Sequence, residues 1–529
     1  MPKEREDVET KSSGSPEVYQ QTKFMAWFEK AFPWLLVSGA ALGLTLMIFL
    51  PVIFFQEKTA EQLLAQSNLR LALLYTTGGA IAAFGLLETY RKNTNDRAKA
   101  NADINAALKN QEHQAEVLKE QIRQFDENAF KDRKAERRER YTKAVEQLGD
   151  EKAPIRMGGV YTLVGLVDEW LEEKSLSDDE RFKEGQVIIN NLCAYIRSPF
   201  TLASHYDELS QDSPTPEGIY KDKKEEFYID KAILDSEADV RLSIIKEIHD
   251  RIQGPDKNTP GAWSDFEYDF SGSTFFYPID LTNSYYAKPI NFSGSTYQGG
   301  ADFTGSTYQG GADFTGSTYQ GGADFSGSTY KDVADFSRST YQGRADFSRS
   351  TYQWASFSDS TYQGWAYFSD STYKSWAYFS DSTYENETNF SGSIFYQETY
   401  FGEDGYSNSS SCFTNRAPQF YDKTNRKNTL FGSHNNDFTV DIDKGYPIDL
   451  NSEGIPLSCK QLTPEQKEYL ADKFQEIDET NNKLLEVKDP KEKEELLKKL
   501  RSLNEELHEW REEATTVQVE DVAAEDTKS

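Results

Sequence analysis

The chain has 529 residues, enough for several domains, and a formal net charge of −30. That balance argues against general binding to nucleic acid or to anionic lipid surfaces, both of which need basic surface. Its three cysteines, Cys193, Cys412 and Cys459, are too few and too scattered for a disulfide framework or a zinc site.

After a tail at 1–31, residues 32–92 read as a transmembrane helical hairpin. Phe32 to Phe55 carries no charge, and at ~1.5 Å per residue a helix of that length exceeds the ~30 Å hydrocarbon core. Pro33 falls in its first turn, where a missing N–H is tolerated, and Pro51 near the far end is expected to bend or stop it. Leu69 to Leu87 is a second apolar run, touched by charge only at Arg70. A second run after a long first one excludes a simple cleaved signal peptide. Lys23 and Lys30 precede the pair and Arg91, Lys92, Arg97 and Lys99 follow it, whereas the connecting loop holds Lys58. The basic excess therefore lies outside the loop, so both termini are expected in the cytoplasm, with the lipid bilayer as a partner.

Residues 93–136 read as a coiled-coil-like helix. Ile104, Leu108, Gln111, Ala115, Leu118, Ile122, Phe125 and Ala129 are spaced alternately by four and three, a heptad seam with one polar position. Homo-oligomerisation through this seam is the expectation, against a single helix packing on its own domain. Residues 137–258 read as a small helical domain, with stripes at Val160, Leu163, Val164, Val167 and Leu171, at Val187, Ile188, Leu192 and Ile196, and at Val240, Ile244, Ile248 and Ile252. Cys193 belongs inside the second stripe as a small buried hydrophobe. Arg156 and the Gly158–Gly159 pair read as turn and packing features, because no phosphate-loop spacing surrounds them.

From Phe292 to Phe401 the chain repeats about every eleven residues, around Ala301-Asp302-Phe303-Thr304-Gly305-Ser306-Thr307-Tyr308-Gln309-Gly310-Gly311. Phenylalanine recurs at 292, 303, 314, 325, 336, 347, 357, 368, 379, 390 and 401, and tyrosine follows most of them five residues later. Steps of five and six match neither a helix nor a flat strand; they suit a chain that turns a corner after every short strand. Each half unit reads small, polar, bulky, small, small. This resembles the pentapeptide-repeat family, whose motif is Ala, Asp or Asn, Leu or Phe, and two variable residues; the resemblance covers roughly 263–440, within a repeat domain expected at 259–440.

The resemblance implies a right-handed, four-sided parallel β-helix. Phe303 and Ala301, then Tyr308 and Ser306, would point inward, with Asp302 and Thr307 outward. Phe292, Phe314 and Phe336 should stack as one ladder and Phe303, Phe325 and Phe347 as another, in six or so coils rising ~4.8 Å each. The extra glycines Gly300, Gly311 and Gly322 read as corner bulges. Residues 141–149, 155–161, 186–197 and 238–248 resemble the helical segment that often precedes such repeats in membrane-bound bacterial proteins. That implies a multi-pass protein of the bacterial inner (cytoplasmic) membrane.

Residues 441–515 read as a C-terminal helical hairpin. Thr463, Pro464 and Gln466 form a capping signal, Asp489-Pro490 starts the second helix, and the expected role is to cover the open end of the solenoid. Residues 516–529 read as an acidic disordered tail.

A search for chemistry returns no catalytic, cofactor or metal residues: His113, His205, His249, His434 and His508 lie apart, and there is no phosphate loop or nucleophile elbow. The acidic ladder Asp302, Asp313, Asp324, Asp335 and Asp346 could in principle serve a β-helix enzyme, but Asp belongs to the repeat, where it bonds local backbone. The chain is therefore expected to be a non-enzymatic, membrane-tethered scaffold for an unknown protein partner. The alternative is an acidic DNA mimic of the gyrase-protecting type; against it, residues 270–401 hold only 13 acidic and 6 basic residues, a modest surplus for a mimic. After Phe347 the outward Asp gives way to Ser356, Tyr367 and Tyr378, and Trp354, Trp365 and Trp376 appear at the preceding corners. These five aromatics are the candidate partner-binding residues, since clustered exposed Trp and Tyr dominate binding hot spots. The competing expectation is that the indoles fold over the corners, against each other or the hairpin.

Overall fold

The computed structural model describes residues 16–55, 59–255, 259–403, 409–487 and 489–517. The first 15 residues, Lys58 of the expected loop and nearly all of the acidic tail lie outside that description. The chain divides into two compact units, Met1–Ala129 and Phe130–Ser529.

The first unit holds α1 (Pro16–Phe54) and most of α2 (Ala60–Leu148). Lys30–Phe54 and a stretch of α2 are long and apolar enough to cross a membrane. Leu42, Phe49, Leu74 and Phe84 lie more than half exposed along them. Pro51 lies in the last turn of α1, which ends at Phe54. The expected boundaries at 92 and 136 both fall inside α2, because no proline or glycine occurs between the apolar run and Leu148, and alanine, glutamate, lysine, arginine and glutamine outweigh the poorer helix formers around 93–110.

In the second unit, residues 130–148 of α2 pack with α3 (Ala153–Leu171), α4 (Asp178–Arg197), the short α5 (Tyr206–Leu209) and α6 (Lys224–Ile252). The three apolar stripes form its core, with Val160, Leu192 and Ile244 fully buried. Gly159 allows close approach, since a Cβ there would meet the carbonyl of Ala144 at 2.7 Å. Arg156 pairs with Glu237 at 3.1 Å, and Glu237 also anchors the buried Arg241 at 2.8 Å. These are packing roles.

The repeats form a four-sided parallel solenoid of two-residue strands. The first face runs Tyr268–Asp269, Ile290–Asn291, Ala312–Asp313 and onward; the second starts at Thr274–Phe275, the third at Ile279–Asp280 and the fourth at Tyr285–Tyr286. The second face has 7 strands and the third 6, while Thr329–Asp335 and Thr351–Ser356 bend around a corner and merge the first and fourth into one 13-stranded sheet. A register shift between Tyr330 and Val333 lies where the repeat loses a residue.

Both phenylalanine ladders exist. Phe314 stacks on Phe292 at 5.2 Å and Phe336 at 5.0 Å; Phe325 stacks on Phe303 at 4.9 Å and Phe347 at 5.1 Å; and the two ladders meet edge-on. Two tyrosine ladders fill the other corners, such as Tyr297–Tyr319 at 4.6 Å and Tyr308–Tyr330 at 4.7 Å. Offset and edge contacts of this kind add ~0.5–1.5 kcal/mol per pair beyond area burial, so each coil depends on its neighbours.

The glycines require a correction. Gly300, Gly311 and Gly322 are not left-handed, and a Cβ at each would meet a carbonyl oxygen at an ordinary 3.8–3.9 Å. The left-handed corners are Gly305, Gly316 and Gly327, continued by Arg338, Arg349, Asp359, Asp370 and Asp381. The preceding glycines are the sterically required ones: at Gly321 a Cβ would meet the carbonyl of Gly299 at 2.6 Å, because stacked corners touch backbone to backbone.

The ends are closed differently from the expectation. At the start, Phe200 of the helical domain stacks on Phe276 at 5.3 Å, and Phe266 enters a space left by Gly185. At the far end the solenoid continues to Lys460–Gln461, which pairs with Leu430–Phe431 of the fourth face, so it passes 440. The irregular chain between them covers the last rings, with Phe438 edge-on to Phe431 at 5.1 Å and Ile448, Ile455 and Cys459 buried. The hairpin α7 (Pro464–Glu486) and α8 (Pro490–Thr515) does not cap that end. It folds back along the fourth face because α7 starts at Thr463, two residues after that face's last strand.

Candidate interaction surface

The hairpin decides which faces of the rod stay open. Leu470, Phe474, Ile477, Leu484, Leu500, Leu503 and Leu507 bury themselves with Ile394 and Leu430 of the fourth face. Phe474 meets Tyr396 at 5.3 Å, Lys331 donates to the Asn481 side chain at 2.6 Å, and Lys374 pairs with Asp478 at 3.6 Å. Outward threonines Thr307 and Thr372 are consequently buried, whereas their equivalents on the second face, Thr296, Thr318, Thr340 and Thr361, remain half-exposed.

On the first and third faces the outward aspartates are committed to backbone. The carboxylates of Asp302, Asp313, Asp324, Asp335 and Asp346 accept the N–H two residues on at 2.9–3.0 Å, fastening each corner as an Asx turn. Asp302, Asp324 and Asp346 stack on the third face and Asp313 and Asp335 on the first. Among the described residues no cluster of His, Cys, Asp or Glu has metal-binding geometry.

The five aromatics divide between two edges. Trp354 and Trp376 sit one coil apart where the fourth face turns into the first, and Trp365 sits where the second turns into the third. Trp365 is 53% and Trp376 47% exposed; the Trp376 indole N–H donates to Glu398 at 2.8 Å. Trp354 is half-buried, folded over Tyr378 at 5.5 Å. Tyr378 departs from the expectation: it is buried, sandwiched between Trp354 and Tyr400, whose ring stacks on it at 5.2 Å. Neighbouring coils are one ring thickness apart, so an outward aromatic with aromatic neighbours is covered by them. Tyr367 is half-buried beneath the Arg344 guanidinium at 5.1 Å, with Trp365 edge-on at 6.4 Å. The contacts of these residues are with the rod itself, away from the hairpin.

Sequence reasoning treated the inward serines as small filler and missed that they form a hydrogen-bonded column. The signal was present, since Ser recurs where the motif ordinarily tolerates any small residue.

A family model described as Pentapeptide repeats (9 copies) matches residues 288–329 and 331–372. With the four-sided solenoid around those residues, this part of the chain is a pentapeptide-repeat solenoid. Neither a curated protein nor a solved structure matches it.

Proposed function

We propose that this is a non-enzymatic scaffold, tethered to a membrane by two helices, whose rod offers its open faces to a protein partner in the cytoplasm. The observation that carries the reading is the pair Trp365 and Trp376. Two indoles stay half-exposed on the regular coils, where Val333 is the other large apolar residue so exposed among the described residues. Exposed Trp of this kind is a hot-spot signature, and Tyr367 with Arg344 extends the patch around Trp365. The tether is supported by the apolar exposed helices, and the basic residues flanking them favour both termini on the cytoplasmic side. The exposed seam Ile104, Leu108, Leu118, Ile122 and Phe125 supports pairing of α2 with a second copy. DNA mimicry has less support, since Arg338, Arg344 and Arg349 interrupt the acidic columns.

The test is photo-crosslinking from position 365 or 376 in membranes, followed by the Trp365→Ser, Trp376→Ser double variant. Partner recovery should fall by about 30-fold, the equivalent of ~2 kcal/mol at a hot spot, with thermal stability retained. Unchanged recovery would remove these indoles from the binding surface.

A further inference from the structure

The hairpin does not seal the fourth face completely. A cavity of about 450 Å3 remains between the threonine column and α8, with Thr329 and Thr351 among its lining. Four cations line it: Lys331 and Arg349 from the rod, Arg501 and Arg511 from α8. The carboxylates in the lining are Glu505 and Glu509, with Glu512 and Asp370 beside Arg511 and Asp478 near Lys331.

Arg511 is 3% exposed, yet its Nε has no hydrogen-bond partner. Its Nη2 lies 2.6 Å from His508 Nδ1, and its nearest carboxylate, Glu512 at 3.5 Å, is shared with Lys427. Asp370 also faces this group, and burial pushes its carboxyl up. A guanidinium cannot shed its proton, so the charge is held in place with one buried donor unused. Arg349 is a second sign. It occupies a left-handed corner with φ 59°, in the column where the repeat places Gly305, Gly327 and Gly392. Asn283 and Asp370 in the same column and Arg338 at another corner also adopt this angle, so what distinguishes Arg349 is its place in the cleft lining.

We infer that this cleft binds a small phosphate monoester. A monoester carries close to two negative charges at neutral pH and three acceptor oxygens, which suit several basic side chains lining one cavity and the fork geometry of the arginines. The threonine hydroxyls supply further donors, and the volume suits a molecule the size of a sugar phosphate. Burial pushes the Lys331 ammonium down to about 7, so an arriving anion would draw a proton onto it.

The test is titration calorimetry on the detergent-solubilised full chain, using glucose 6-phosphate and inorganic phosphate, with sulfate at matched ionic strength. Buffers of different ionisation enthalpy near pH 7.5 report the proton. Saturable binding of the phosphates with proton uptake is expected, weakened at least tenfold by Arg349→Gly with Arg501→Gln. Arg349→Gly restores the residue the same corner carries at Gly305, so the fold is retained, and unchanged melting checks this. Absence of saturable heat, equal binding of sulfate, or equal affinity in the variant overturns the proposal. So does competition by vesicles containing phosphatidic acid but not by phosphatidylcholine vesicles, which would assign the cleft to a lipid headgroup.

Discussion

Ser306 and Ser328, one coil apart, are joined through a side chain: the Ser306 backbone N–H donates to Ser328 Oγ at 3.1 Å. The same Oγ donates onward to the carbonyl of Phe303 at 3.1 Å. The pattern repeats at Ser317 with Ser339, Ser328 with Ser350, and Ser350 with Ser371. Each buried serine thus satisfies two backbone groups at the corners, where the two-residue strands cannot.

Ser328→Ala fits the space but removes both bonds and leaves a buried N–H and carbonyl behind. The expected loss is about 1–3 kcal/mol. Thermal melting of the full chain is the measurement; a shift within error of the wild type would show that these backbone groups find other partners.

Phe325 stacks between Phe303 and Phe347 and meets Phe314 and Phe336 edge-on. Phe325→Ala should cost about 3–5 kcal/mol through the cavity it leaves. Phe325→Asp should abolish cooperative melting of the rod, because each coil rests on the next. Hydrogen exchange would show protection lost in several coils; loss confined to one coil would contradict a shared ladder.

Tyr373 points the other way. Its hydroxyl is buried without a hydrogen-bond partner in the protein, and its ring stacks on Phe395 at 4.5 Å. Tyr373→Phe extends the Phe395 and Phe431 column and should raise stability by about 1 kcal/mol. A lower melting temperature would mean that the hydroxyl is satisfied in solution.

Docking of the hairpin should depend on pH. Burial lowers Lys331 from its ordinary 10.5 to about 7, with Lys374 nearby acting in the same direction, and Lys374 is itself lowered by burial. The undocked lysine therefore binds more protons than the docked one between about pH 7 and 10.5. Stability must then rise with pH across that window and be flat below it, with a slope of up to about 1.4 kcal/mol per unit for one such group. Lys331→Met should flatten the profile and stabilise the hairpin at pH 7, read as slower hydrogen exchange in α7.

The orientation is checked by fusions at Ser529. A cytoplasmic reporter there should be active, while alkaline phosphatase should be silent; the reverse result would place the rod on the other side of the membrane.

Much of this was legible in the sequence because the repeat is a direct imprint of the fold. An aromatic every five or six residues has few explanations other than a four-cornered coil, and the Phe303 and Phe325 ladder follows from that spacing alone. The apolar runs before Leu87 and the cap at Thr463 were likewise local signals, read from residues adjacent in the chain. What the sequence left open depended on which distant surfaces meet. The hairpin's apolar seam shows that it must pack, yet only the tertiary structure lays it on the fourth face, where Lys460–Gln461 delivers the chain. That placement buries Thr307 and Thr372, leaves Trp365 and Trp376 uncovered, and encloses the cationic cleft beside Arg511. Tyr378 is buried for the same reason, since its cover comes from Trp354 and Tyr400, each about one coil away. A column of identical motifs specifies its interior by repetition; its exterior is decided by contacts between coils and with the hairpin, which the period does not encode.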